Sequence, residues 1–246
     1  MKRVILTPNL PRQTSAMKRF EKSAIEINKF YWSFRCSLQY TLPALKSVKR
    51  IPDIIPGDVG KKMNVTSSQF ILEAPDTERF ARHSVLVLYI TIFEEYLREI
   101  LTSFLLKTWK IDRTYKISFQ PQELPISVDL TDYLKQKAIC STVEEILGKN
   151  YSSRFDSIRN LIVQGGKTSP ALSPDTVKYA IAACEARNCI IHSSGKADSR
   201  AVSHLKTFMP SLRIDNYINI DENLLWNFLG SLRDSVRAID VAIRSK

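Results

Sequence analysis

The chain has 246 residues, 44% hydrophobic and 25% charged, a composition that suits one large domain or a domain with an extension. Only seven glycines occur, which counts against a Gly-rich nucleotide-binding α/β fold and favours helices. The formal charge is +11, and residues 1–62 hold 13 Lys or Arg against 4 Asp or Glu, so +9 of the excess sits at one end, pointing either to a polyanionic partner or to a solvated basic face.

In chain order, residues 1–13 read as an extended tail, since Pro8 and Pro11 break any helix. From Ser15 to about Tyr40 apolar residues recur at helical spacing (Phe20, Ile27, Phe30, Tyr31, Phe34, Leu38), with Pro43 ending or kinking the helix. Pro52, Pro56, Gly57 and Gly60 mark a loop, and Met63–Leu72 reads equally as a short strand or a helical turn. Asp76 is the expected N-cap of a long helix to about Trp109, apolar on most sides around Val85–Phe93 and therefore central. Residues 111–128 read as a loop. Helices are then predicted over Leu130–Leu147, Ser152–Val163 and Pro174–His192, with a short one near Ser199–Phe208. An amphipathic helix from about Asp221 closes the chain. The expectation is an all-α bundle.

The longest apolar run, Val85–Phe93, is far short of a membrane span. Met1-Lys2-Arg3 begins basic but leads into no sustained apolar region, so no signal peptide is expected. Cys36, Cys140, Cys184 and Cys189 form no CxxC pair and no metal-ligand cluster; reduced thiols in a cytoplasmic protein, with no metal or other cofactor, are expected.

The chemistry concentrates in Arg187-Asn188-Cys189-Ile190-Ile191-His192, at the end of a predicted helix and before Ser193-Ser194-Gly195. At about 100° per residue, Arg187 and His192 project some 140° apart, and Asn188 lies about 40° from His192, one turn before it. One polar side thus presents all three, with Ile190 or Ile191 turned toward the core. RNA can be cut by its own 2′-hydroxyl given a base, an acid and positive charge near phosphorus. Histidine serves as base or acid, arginine offers a forked donor set to phosphate, and asparagine positions either. The structural alternative is a histidine placed favourably at the negative end of a helix, with Arg187 paired to Glu185 or to a neighbouring helix.

The segment Glu185–Lys196, which contains Arg187, Asn188 and His192, resembles the signature of HEPN domains: Arg, usually followed by Asn, Asp or His, then a few residues and His, near the end of the last-but-one core helix. The segment Ile92–Leu101, with Phe93, Glu94 and Glu95, resembles the early long helix of the same family, particularly its RiboL-PSP branch, and the final amphipathic helix fits too. The likeness covers about 76–246. It implies a HEPN-like helical bundle at 76–246; residues 1–75 lie outside the likeness and, from their charge and helical spacing, are expected to form a basic, mostly helical N-terminal extension that contacts RNA or a partner. It also implies a homodimer that joins two motifs in one cleft, and a metal-independent endoribonuclease of a toxin–antitoxin or antiviral abortive-infection system. Arg187, Asn188 and His192 take the catalytic positions, and the substrate is tRNA or another cellular RNA. Glu94 or Glu95 matches an acidic residue that some members place beside the motif to orient the arginine; as ordinary residues they make a surface salt-bridge pair. An antitoxin or defence-system protein is the implied partner. Members controlled by AMP transfer carry a tyrosine two residues after the histidine; here that residue is Ser194, which counts against this control. The alternative function is a non-catalytic HEPN-like dimeric module that binds RNA or protein.

Other signals weigh less. Gly165-Gly166-Lys167-Thr168 matches the tail of a phosphate-binding loop, but Leu161 stands where the first glycine belongs and no strand precedes it. His83 reads as a core or interface histidine and His204 as a surface one. Phe30, Tyr31, Trp32 and Phe34, interleaved with Lys29 and Arg35, read either as core packing or as a base-stacking stripe.

Overall fold

The computed structural model describes residues 13–50, 58, 65–108 and 129–245. The expected tail at 1–13 (apart from Gln13), the loop around Pro52–Gly60 (apart from Asp58) and the loop at 111–128 lie outside them. Among the described residues the fold is all-α, with seven helices: α1 Ser15–Leu45, α2 Ser67–Thr108, α3 Leu130–Gly148, α4 Tyr151–Gln164, α5 Pro174–His192, α6 Ser199–Leu205 and α7 Glu222–Arg244. Among the described residues, extended pairing is confined to two isolated bridges, Arg50 with Thr66 and Lys196 with Tyr217. No helix among these residues is long and apolar enough to cross a membrane.

The largest departure from expectation is the start of α2. It begins nine residues before Asp76, at Ser67, and Pro75 lies inside it. The signal is a capping box in Thr66-Ser67-Ser68-Gln69: Thr66 Oγ1 accepts from Gln69 N at 3.2 Å, and Gln69 Oε1 accepts from Thr66 N at 3.2 Å. Two of the first orphan amides are thereby satisfied, and the proline costs one interior hydrogen bond. α1 likewise runs past Tyr40 through Pro43 to Leu45.

The chain divides into two compact units, residues 1–21, 91–181 and 230–246 in one, and 22–90 and 182–229 in the other. Helices α1, α2, α5 and α7 each contribute residues to both. No boundary falls at 75/76, which is inside α2, and α1 is core in both units: Met17 and Phe20 are buried in the first, Tyr31, Leu38 and Leu45 in the second.

In the first unit, Phe20 meets Tyr96 and Phe93 meets Phe155, with ring centroids 6.0 and 6.4 Å apart. The buried Tyr96 hydroxyl donates to the Val236 carbonyl at 3.1 Å. Buried Asp240 accepts from the Thr14 amide at 3.3 Å, from the Thr14 hydroxyl, and from Arg244 Nε at 2.7 Å. Thr14 Oγ1 in turn caps α1 by accepting from Met17 N at 3.1 Å.

In the second unit, α5 contributes Ala182, Ala183, Cys184 and Ala186, all fully buried, so its backbone packs close to its neighbours. Tyr31 is fully buried edge-on to Trp226 at 5.4 Å, and Trp32 stacks on Trp226 at 5.6 Å with 7° between the planes. Arg35 joins Glu78 and Glu222, and Arg82 joins Glu78 at 3.5 Å and the Ile220 carbonyl at 2.7 Å. Lys29 pairs with Glu26. Tyr31, Trp32 and Arg35 of the stripe are therefore used in packing and pairing, while Phe30 stays 53% exposed and Lys29 lies in an exposed pair.

Candidate functional site

α5 starts as expected: Ser173 Oγ accepts from Thr176 N at 3.0 Å, and Pro174 fills the first turn, where its missing N–H costs nothing. At the other end the helix buries Ala182, Ala183, Ala186 and Cys189. The side away from these carries Arg187, Asn188, Ile191 and His192, positions i, i+1, i+4 and i+5. Of the four, Arg187 and Asn188 are half-buried, with the Arg187 Nε buried, and Ile191 and His192 are exposed. Cys189, not an isoleucine, takes the core position; Ile190 is half-buried, and Ile191 is 45% exposed between Arg187 and His192 in projection. Arg187 Nη1 donates to Asn188 Oδ1 at 3.3 Å. His192 is the last residue of α5 and is exposed, one turn beyond Asn188. The three motif residues thus share one helix end, with the arginine and the asparagine in contact.

The helix stop fixes this end. Ser193 N and Gly195 N both donate to the Cys189 carbonyl, at 3.1 and 2.8 Å, and Lys196 N donates to Ser193 O at 2.9 Å. Ser194 has φ 51° and Gly195 φ 84°, two successive left-handed residues, of which the serine is the costly one. The chain after the stop is clamped to residues 215–218: Ala197 N donates to Asn216 O at 3.0 Å, Asp215 N to Ala197 O at 2.8 Å, and Ile218 N to Gly195 O at 2.9 Å. Tyr217 is thereby laid over Gly195, where an added Cβ would meet its Cδ1 at 3.6 Å. Tyr217 is 58% exposed, with the Arg79 guanidinium 5.9 Å and the Lys196 ammonium 5.6 Å from the ring centroid, both over the ring.

Neighbouring ionisable groups have structural partners. Buried Glu185 accepts two bonds from Arg200, at 3.0 and 2.6 Å, so the pairing of Glu185 lies with α6. Burial first, with Asp198 adding to it, pushes the Cys189 thiol up to about 11, which keeps it protonated and unreactive at neutral pH. His83, also in this unit, is held down to about 4, chiefly by burial and then by Arg79 and Arg82, so its imidazole is neutral at pH 7. His204 is half-buried rather than at the surface, in the last turn of α6.

Glu94 and Glu95 belong to the other unit. There Glu94 Oε1 accepts from Arg154 Nη1 at 3.1 Å and from the Tyr151 hydroxyl at 3.4 Å. Arg154, 8% exposed, also donates to the Leu147 carbonyl at the end of α3 and lies 4.3 Å over the Tyr151 ring. This Arg154 was not singled out from the sequence; a buried arginine one turn into α4 shows no local spacing signal. Glu95 is exposed.

Gly165-Gly166-Lys167-Thr168 is a helix stop. Lys167 N donates to Ile162 O at 3.1 Å and Gly166 N to Val163 O at 2.9 Å, a Schellman turn with Gly166 at φ 78°. Thr168 Oγ1 bonds Ser245 Oγ at 3.0 Å, and Lys167 donates to the Ser245 carbonyl. A phosphate loop would precede a helix; this turn follows one. Among the described residues no three His, Cys, Asp or Glu side chains gather as a metal-binding group. Compared with protein-family models, curated proteins and solved structures, the chain finds no match.

Proposed function

We propose that this protein is a metal-independent endoribonuclease of the HEPN type, acting as a homodimer in a toxin–antitoxin or abortive-infection system. The observation that carries the reading is the gathering of Arg187, Asn188 and His192 at one helix end, with the half-buried Arg187 and Asn188 hydrogen-bonded to each other and His192 exposed. In the reaction, His192 of one copy takes the proton of the 2′-hydroxyl, whose oxygen attacks phosphorus. His192 of the second copy gives a proton to the departing 5′-oxygen. The products are a 2′,3′-cyclic phosphate and a 5′-hydroxyl. Arg187 neutralises charge gathering on the phosphate oxygens, and Asn188 positions the guanidinium.

The test compares wild type with His192→Ala on total RNA in EDTA, with end-group mapping. Wild type is expected to leave 2′,3′-cyclic phosphates, and the variant to lose activity by about 10²–10⁴. Cleavage undiminished in the variant sinks the mechanism.

One observation favours a second reading, a HEPN-like module that dimerises and binds RNA or protein without cutting. Among the described residues nothing hydrogen-bonds the His192 ring to fix its orientation, as a third group does in many catalytic pairs. tRNA and ribosomal RNA left uncut at micromolar protein, together with harmless expression in cells, would decide for it.

A further inference from the structure

We propose that Tyr217, flanked by Arg79 and Lys196, is a stacking platform for an unpaired base of single-stranded RNA beside the Arg187–His192 motif. Three observations meet there. First, Tyr217 is 58% exposed in a unit that buries Tyr31 completely and stacks Trp32 on Trp226, so its ring is kept out of the core while other aromatics are drawn in. Second, two cations from distant parts of the chain, residues 79 and 196, stand within 6 Å of its centroid. Arg79 is also paired to Asp76 at 3.1 Å, and its side chain remains 42% exposed. Both cations lie loosely over the ring, where a base stacking on Tyr217 would displace them from the face onto its own phosphate. An aromatic side chain with cations this close can take a base and its phosphate together, and each such stack is worth about 1–3 kcal/mol.

Third, the platform is built onto the motif helix. Tyr217 rides on Gly195, and reciprocal backbone bonds join residues 195–197 to 215–218. Gly195 is three chain links after His192, so their Cα atoms are at most about 11 Å apart. A strand whose scissile phosphate lies at Arg187 and His192 therefore passes a neighbouring base across Tyr217. An acidic protein segment would use the two cations but not the exposed ring face, which is why RNA is the favoured occupant. The position relative to the cut rests on the ribonuclease reading; binding of the strand does not.

The experiment uses the full chain carrying His192→Ala, so that no probe is cut, and a fluorescein-labelled single-stranded oligoribonucleotide of about ten nucleotides read by anisotropy. Adding Tyr217→Ala is expected to weaken binding roughly 10-fold, within the ~5–150-fold of one lost stack, and Tyr217→Phe to restore it. Lys196→Gln and Arg79→Gln should each lower the salt slope by about one. A duplex of the same length, whose bases are already stacked, should not respond to Tyr217→Ala.

Unchanged single-strand affinity in the Tyr217→Ala protein, with its circular dichroism intact, overturns the platform. So does absence of binding by the parent at micromolar protein, or an equal loss toward a labelled glutamate-rich peptide, which would reassign the patch to an acidic protein. The two proposals fail separately. If wild type does not cut but Tyr217→Ala still weakens binding, the nuclease reading falls and the platform stands. If wild type cuts through His192 while Tyr217→Ala binds normally, the reverse holds.

Discussion

The chain stops two of its helices with left-handed residues, at Gly165-Gly166 after α4 and at Ser194-Gly195 after α5, and puts the two stops to different use. After α4 the left-handed residue is a glycine with nothing near it, and the next side chains, Lys167 and Thr168, are spent on Ser245. After α5 a serine is forced into the same region, and the chain around it leaves His192, Lys196 and Tyr217 exposed. A local turn alone therefore says little about function. What distinguishes the two stops is whether the surrounding side chains are consumed by the fold or left facing out, and backbone strain is accepted where they are left out.

The strongest way to break this comparison is His192→Ala. It is expected to lower RNA cleavage by about 10²–10⁴ while leaving Tm unchanged, because the side chain is exposed. A fall in Tm that tracks the lost activity would make α5's end structural like α4's. Next in size is a pH effect that must be separated from His192 chemistry. His83 has a folded pKa near 4 against about 6.5 unfolded, so its contribution is fully present above pH 6.5 and is lost as pH falls toward 4. The unfolding free energy from urea melts should decline over that window by up to about 3 kcal/mol, and His83→Gln should flatten the decline.

Gly165→Ala comes third. An added Cβ would overlap the Phe104 ring, so a loss of about 1–3 kcal/mol is expected in thermal melts, with RNA binding untouched. The smallest effects come from the matched pair Gly166→Ala and Gly195→Ala. Neither meets a clash, so each should cost about 1 kcal/mol from its positive φ alone. Unequal costs would show that the clamp to 215–218 carries strain of its own.

Much of the fold is legible in the sequence because it rests on local spacing. The ends of α3, α4, α5 and α7 fall within one or two residues of expectation, each marked by a cap such as Asn150, Ser173 or Asp221. The start of α2 is lost because Pro75-Asp76 looks like a beginning, while the Thr66–Gln69 capping box lies in an otherwise unpatterned stretch. α1 looks like an extension because it is basic, yet Arg19 pairs with Glu99 and Arg35 with Glu78 and Glu222 across long sequence separations. The motif residues are legible as a pattern, and the small buried residues opposite set which side of α5 they share, although the half-burial of Arg187 and Asn188 is not legible. Misplacing the isoleucines reflects that same face: alanines and Cys189 fill the core, so hydropathy points to the wrong positions. The Tyr217 patch is not legible at all, since it assembles residues 79, 195, 196 and 217 through backbone pairing rather than periodicity.

The bond between Thr14 and Asp240 sets a timetable. The two residues are 226 positions apart, so the group that holds the first turn of α1 leaves the ribosome long after that turn does. At about 5–20 residues per second, that interval is roughly 10–45 s. Until α7 emerges, the opening helix lacks its anchor and the first unit lacks Leu232, Val236 and Ile239 from its core. Each unit also draws on segments from widely separated parts of the chain, so neither can close early in synthesis. The first unit therefore completes its core only once α7 has been synthesised.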